Sequence, residues 1–270
     1  MIACKNAELP LSERRSDRIT TRLATWNLDR ANPKSTARLA TLQSHMETID
    51  ADIWILTETW QQIAPSPAHH LIAYSTTAPD RESTAGEAWT AIWSRFPADA
   101  LSLAAEPERT AAALITLPNG RPIIAYGTVL PWLSDQRRAP LTGKEAFLES
   151  LAAQSAEWQG LKEKHPDAGL LIAGDFNQDL ADKHYYGSRD GREALRASLS
   201  QNELICLTAD DQDPLVDEPD RASIDHIVVS RDVGVGAIGY WPQGDLPRKL
   251  TDHYGVWADL GLETDRRRDA

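Results

Sequence analysis

One stretch limits the possible folds more than any other: Leu170-Leu171-Ile172-Ala173-Gly174-Asp175-Phe176-Asn177. An apolar run of strand length that stops at Gly-Asp reads as a buried strand. The glycine lets the backbone turn sharply where the strand ends. Asp175 and Asn177 then sit at the carboxyl end of a buried strand, a common place for active-site residues in α/β proteins. Three other short stretches have the same form, so polar residues able to bind a metal or move a proton are expected to meet at one site.

The rest of the pattern supplies the partners of that strand. Arg22 to Leu28 predicts a first strand, ending in Trp26-Asn27-Leu28-Asp29. A helix capped by Ser35 runs to about Ile49, with Leu39, Leu42 and Met46 on one face. Ala51 to Glu58 predicts a second buried strand, and a short one is expected near Leu71 to Ser75. Ala88 to Ser94 follows, closed by Arg95-Phe96-Pro97. Ala111–Leu117 and Pro122–Leu130 read as a hairpin around Pro118-Asn119-Gly120-Arg121, since Asn-Gly is a strong turn signal. Thr142 to His165 predicts a long helix, with Thr142 and Glu145 spaced as a capping box. Beyond Asp175 come a polar loop (Leu180 to Gly191), a helix near Glu193 to Gln201, and an acidic loop (Asp210 to Asp220). Strands are expected at Ser223–Ser230, Val233–Tyr240 and Tyr254–Leu260. Strands outnumber helices, and several neighbours can pair as hairpins. The reading is an α/β (α+β) domain over residues 21–262, two packed sheets with helices outside, between a flexible lead-in (1–20) and a charged tail (263–270).

Composition narrows the function. A net charge of −12 makes a poor general binder of polyanions, yet acidic residues gathered round metal ions also inflate that count. Two distant cysteines, Cys4 and Cys206, make neither a disulfide framework nor a cysteine zinc site. No apolar run reaches the ~20 residues of a membrane span, so no stable membrane insertion is expected. The first twenty residues lack the apolar centre of a secretory signal. The expected setting is cytoplasmic.

The strand ends carry Asn27, Asp29, Glu58, Asp175, Asn177, Asp225, Asp252 and His253. Magnesium takes a few carboxylate oxygens plus water and substrate phosphate oxygen. Glu58, with Asp29 or Asp252, can supply such a site and stabilise charge on a phosphate. Asn27 and Asn177 can donate hydrogen bonds without adding repulsive charge. Asp175 is a candidate proton acceptor. Asp225 can hold His253 protonated against a phosphate.

With these residues in hand, the sequence resembles the endonuclease/exonuclease/phosphatase superfamily, which includes deoxyribonuclease-like enzymes, abasic-site endonucleases, sphingomyelinases and inositol-polyphosphate 5-phosphatases. The matching pieces are Thr25-Trp26-Asn27-Leu28-Asp29, Leu56-Thr57-Glu58-Thr59, Ser94-Arg95-Phe96-Pro97, Gly174-Asp175-Phe176-Asn177, Ser223-Ile224-Asp225-His226 and Thr251-Asp252-His253. They stand in the family's order. The resemblance implies a four-layer sandwich and hydrolysis of a phosphate ester by water, with Mg2+ or Mn2+. It makes Glu58 the main metal ligand, with Asn27 near the metal, and places Asp252 and Asp29 beside it. It gives Asp175 the attacking water, Asn177 and His253 the phosphate, and Asp225 the orientation of His253. One departure stands out: where the family carries a histidine or tyrosine at the end of the middle strand, this chain has Val129, with Tyr126, Thr128 and Trp132 as candidate replacements. The glutamine that often precedes the metal glutamate is replaced by Thr57.

Outside the motifs, Arg248 and Lys249 precede Asp252-His253 closely and are candidate phosphate binders. Trp132, Arg137 and Arg138 can stack on a base and bind backbone phosphates, or can simply be packed and solvated. Asp29 can instead pair with Arg30 or Lys34. His226 is expected to be structural, because period two turns it away from Asp225. His69 and His70 are expected on a loop surface, and the acidic run from Asp210 to Asp220 as a solvated loop. The first reading is a metal-dependent phosphodiesterase, an endo- or exonuclease acting on DNA or RNA. The second keeps the chemistry and takes a phosphoinositide, a sphingolipid or a small phosphate ester. The third is a non-catalytic binding domain of the same fold, suggested by Val129.

Overall fold

Continuous apolar runs give each central strand two buried faces, and the fold is what covers both. The computed structural model describes residues 20–76, 85–136, 138–242 and 250–261. The lead-in, Arg137, Arg248, Lys249 and the charged tail lie outside the described residues. In chain order the first half contains β1 (Thr20–Asn27), α1 (Thr36–Ile49), β2 (Ile53–Trp60), β3 (His70–Tyr74), β4 (Glu87–Ser94), β5 (Ala98–Leu101), β6 (Thr110–Thr116) and β7 (Pro122–Val129). The second half contains α2 (Gly143–Lys164), β8 (Gly169–Asp175), α3 (Arg189–Gln201), β9 (Leu204–Cys206), β10 (Asp225–Ser230), β11 (Gly234–Trp241) and β12 (Gly255–Gly261).

The strands form two six-stranded sheets, ordered β11-β12-β1-β2-β4-β3 and β5-β6-β7-β8-β10-β9. Each has one parallel pair at its centre, β1 with β2 and β7 with β8, and antiparallel strands around it. A parallel pair needs a crossover, which α1 and α2 supply. Period two then sorts the side chains. Leu171 and Ala173 face the other sheet and join Ile55, Ile92, Ala125, Ile227 and Val256 in the central core. Leu170 and Ile172 face outward and pack with Tyr126, Trp158 and Leu195 under α2 and α3. On the far side, Trp26, Trp54 and Leu56 pack with Leu42 and Met46 of α1. The result is the four-layer sandwich of deoxyribonuclease-like proteins. Thr142 closes the expected capping box with Glu145 at the start of α2.

The structure adds to the expected elements and corrects them in places. β5 and β9 are edge strands of four and three residues, too short to show alternation. The third helix starts at Arg189 rather than near Glu193, because the Ser188 hydroxyl accepts from the Gly191 amide and caps it. His69 is buried rather than on the surface, bonded to Ser66 Oγ and the Ala51 carbonyl.

Candidate active site

β1, β2 and β8 end at the same rim of the sandwich, and the antiparallel β10 and β12 begin there. Asn27, the last residue of β1, bridges the sheets: its Nδ2 lies 3.1 Å from Asp175 Oδ2 and 3.2 Å from Glu58 Oε1. In the ladder Asp175 stands directly opposite Asp225. Asp225 Oδ2 accepts from His253 Nδ1 at 2.6 Å. His253 precedes β12 and is tied to the end of β1. Trp26 Nε1 donates to the His253 carbonyl, and Thr251 Oγ1 donates to the Asn27 carbonyl. Five segments far apart in sequence thus place Glu58, Asn27, Asp175, Asp225 and His253 side by side.

Local backbone geometry supports this arrangement. Gly174 has φ +138°, and a Cβ there would sit 2.1 Å from the Thr128 carbonyl oxygen, so only glycine fits. Asn177, at φ +48°, donates its own amide N–H to Asp175 Oδ1 and its Nδ2 to the Leu130 carbonyl. The Asn177 side chain therefore holds the loop as well as standing at the site. Asp29, Arg30 and Glu58 are all left-handed, and the Arg30 amide donates to the Glu58 carbonyl. These bonds lock the two strand ends together.

Burial and charge set the proton affinities. Burial pushes the Asp175 carboxyl up to about 7, helped by the negative charge of Asp225, while the neighbouring His253 opposes it. Burial alone would lower His253, but Asp225 and then Asp175 raise it to about 10, so the ring is an imidazolium at neutral pH. A hydrogen-bond acceptor, Asp225 Oδ1, is buried with no partner among the described residues.

The other predicted residues take various places. Tyr126 is not at the site. It is fully buried on the outer face of its sheet, edge-on to Trp158 with its hydroxyl on Glu157, because period two turns it away from the rim. Thr128 likewise points outward, to Gln154. Neither replaces the histidine that Val129 lacks. Val129 itself is buried, and its carbonyl accepts from Arg109. Arg109 forms a buried pair with Asp135 beside Trp89 and Trp132. Trp132 is half-buried against Trp89. Asp29 is 56% exposed and pairs with Arg38 at 3.1 Å, neither with Arg30 nor with Lys34. Asp252 is 80% exposed, its Oδ1 3.8 Å from His253 Nε2. His226 turns away from Asp225, bonding Thr208 and the Gln178 carbonyl.

Two residues of the site were not singled out from the sequence. Arg30 forms an ion pair with Glu58, Nε to Oε2 at 2.9 Å. Its position directly after Trp-Asn-Leu-Asp was the available signal. Tyr186 lies near enough to Asp175 and Asp252 for their charges, after burial, to raise its hydroxyl. The buried Asp179 brings it there by accepting from the amides of Tyr185 and Tyr186. Nothing local in the sequence reveals that bend.

The donor set suits a hard divalent cation. Glu58 offers a carboxylate whose lone pairs exceed its two contacts, and a guanidinium already rests on it, so the position accepts positive charge. Asp175, Asp225 and His253 also bring ligand atoms within 4.8 Å of one another, but a charged ring bonded to Asp225 is a hydrogen-bond donor and not a metal ligand.

The sequence matches the Endonuclease/Exonuclease/phosphatase family over residues 24–253. The chain belongs to that family. No curated protein matches it. Among solved structures, a 3'-5' exonuclease from Neisseria meningitidis superposes with TM-score 0.62 at 18% identity, covering 88% of this chain and 98% of its own. A mannosyl-6-phosphatase from Bacteroides thetaiotaomicron gives 0.60 at 17% identity, covering 89% and 99%. TDP2 of D. rerio, complexed with a single-strand DNA product, gives 0.57 at 14%, covering 89% and 98%. The same fold thus occurs in proteins with different printed activities, and fold by itself does not fix the substrate.

Proposed function

We propose that the protein hydrolyses a phosphate ester with a water activated by Asp175, in a Mg2+- or Mn2+-dependent reaction, as an endo- or exonuclease. The observation that carries this reading is the contact chain Glu58–Asn27–Asp175 beside the His253–Asp225 pair. Asp175, buried with a raised proton affinity, takes a proton from water. Asn27 orients its carboxylate and links it to Glu58. His253, kept charged by Asp225, donates to a non-bridging phosphate oxygen and offsets developing charge. Asn177 stands beside Asp175 as a second phosphate contact. Glu58, with Asn27 against its Oε1, would hold the metal, and the exposed Asp29 and Asp252 carboxylates would assist as outer ligands. The bound ion supplies Lewis-acid stabilisation of the phosphoryl oxygens. The His253–Asp225 bond is a charge-assisted hydrogen bond at 2.6 Å. We therefore assign that pair to phosphate binding and not to the metal.

A second reading, a phosphatase or phosphodiesterase for a small ester, is favoured by the charge. Beside the site, a hollow of about 490 Å³ is lined by Asp182, Asp210, Asp211, Asp213, Glu218 and Asp220, together with Lys183, His184 and Arg221. The carboxylates outnumber the cations, and with a net charge of −12 that wall disfavours a long polyanion. No helix among the described residues is long and apolar enough to cross a membrane.

The test is hydrolysis with Mg2+ of plasmid DNA, abasic duplex, single-stranded RNA, a phosphoinositide and bis-p-nitrophenyl phosphate in parallel. Each is repeated with EDTA and with Asp175→Ala. Metal-dependent cleavage of nucleic acid, lost in the variant, is expected. Turnover of only the lipid or small ester selects the second reading. No turnover of any substrate, with no Mg2+ affinity, would leave a non-catalytic domain.

A further inference from the structure

We propose that Arg30 is the resident counter-cation of Glu58, and that a metal ion entering the site displaces it along the face of Trp89 toward Glu87. The inference rests on the metal-dependent reading above. Arg30 Nε lies 2.9 Å from Glu58 Oε2 and 4.0 Å from Glu87 Oε1, so two carboxylates already share one guanidinium. The guanidinium carbon lies 4.6 Å from the centre of the Trp89 ring. Arg30 Nε is buried and makes no directed hydrogen bond among the described residues, so its contact with Glu58 rests on charge and not on a fixed hydrogen-bond geometry. The backbone of Arg30 is fixed by the hydrogen bond its amide N–H donates to the Glu58 carbonyl, while its side chain remains 39% exposed. Only the side chain is therefore free to move.

Two cations cannot share Glu58 Oε2 without repulsion, so the ion and Arg30 compete for it. Trp89 offers the departing guanidinium a continuous surface that holds positive charge on its face. Glu87, already 4.0 Å from Arg30 Nε, is the second carboxylate within its reach. Arg30 thereby keeps the Glu58 carboxylate neutralised when no metal is bound, and metal affinity is lowered by the strength of this partly exposed pair. Pairs of this kind correspond to roughly a fivefold effect on affinity.

The experiment measures Mg2+ binding by calorimetry and by tryptophan emission in wild type, Arg30→Gln, Arg30→Lys and Trp89→Phe, with folding checked by circular dichroism. Arg30→Gln should bind Mg2+ about fivefold tighter. Arg30→Lys keeps the charge without the planar fork and should fall between. Wild-type emission should change on Mg2+ addition, and Trp89→Phe should lose most of that change. Equal or weaker Mg2+ binding in the Arg30 variants overturns the proposal while leaving the metal site standing. So does an emission change that survives in full without Trp89. Absence of Mg2+ binding in every protein overturns both the proposal and the metal-dependent reading.

Discussion

Replacing Asp225 by Asn should uncouple His253 from its charge while leaving the sandwich intact. The ring nitrogen Nδ1 lies 2.6 Å from Asp225 Oδ2, and the pair is largely shielded from solvent. The span from 6.5 to about 10 in His253 corresponds to roughly 5 kcal/mol of preference for imidazolium. Burial works against the charged ring, and the nearby Asp225 carboxylate contributes most to overcoming it. Asn keeps the shape but not the charge. Asp175 still faces the ring, so the pKa should fall well below the wild-type value while keeping some upward push. At pH 8 fewer of the variant's rings would then be charged, and with the ring less firmly oriented the rate should drop ~100-fold. The direct assay is the His253 Hε1 chemical shift against pH. Wild type should not titrate below about pH 9, and Asp225→Asn should titrate well below that. The linkage has a definite sign. Because folding raises this pKa, the stability from the pair is fully present below 6.5 and is lost as pH rises through about 10. Wild-type titration near 6.5, or an unshifted variant, would refute the reasoning.

Three further outcomes are expected. Asp175 must be ionised to accept a proton, and burial lifts it to about 7. Wild-type kcat/KM should therefore fall about tenfold per pH unit below neutrality, and Asp175→Asn should be inactive across the whole range; a flat acid limb would exclude Asp175 as the base. Gly174→Ala would push a methyl into the Thr128 carbonyl at a φ of +138°. Urea melts should show a loss of at least ~2 kcal/mol. Trp158 is fully buried against Tyr126, and Trp158→Ala should cost ~3–5 kcal/mol in the same assay without touching the rim residues.

The sequence and the structure divided the work along a physical line. Signals carried within a few residues were legible in advance. The apolar runs, the Asn-Gly turn, the Thr142 cap and the strand-end polar residues are all local, so the order of elements and the layered fold could be read from them. The roles of Tyr126 and His226 were also set by local periodicity, although only the second was read that way. What required the tertiary structure was every relation across the chain. Asn27 reaches Asp175 over 148 positions, and Trp26 holds the His253 loop over 227. The pairings of Arg38 with Asp29 and Arg30 with Glu58 depend on left-handed turns that no propensity announces. Proton affinities likewise belong to the folded state, since burial of Asp175 and the nearness of Asp225 to His253 exist only once two sheets close on each other. Residue types fixed which chemistry was possible, because carboxylate, amide and imidazole are properties of the chain. Distance and desolvation decided which of them act together, because both are created by packing.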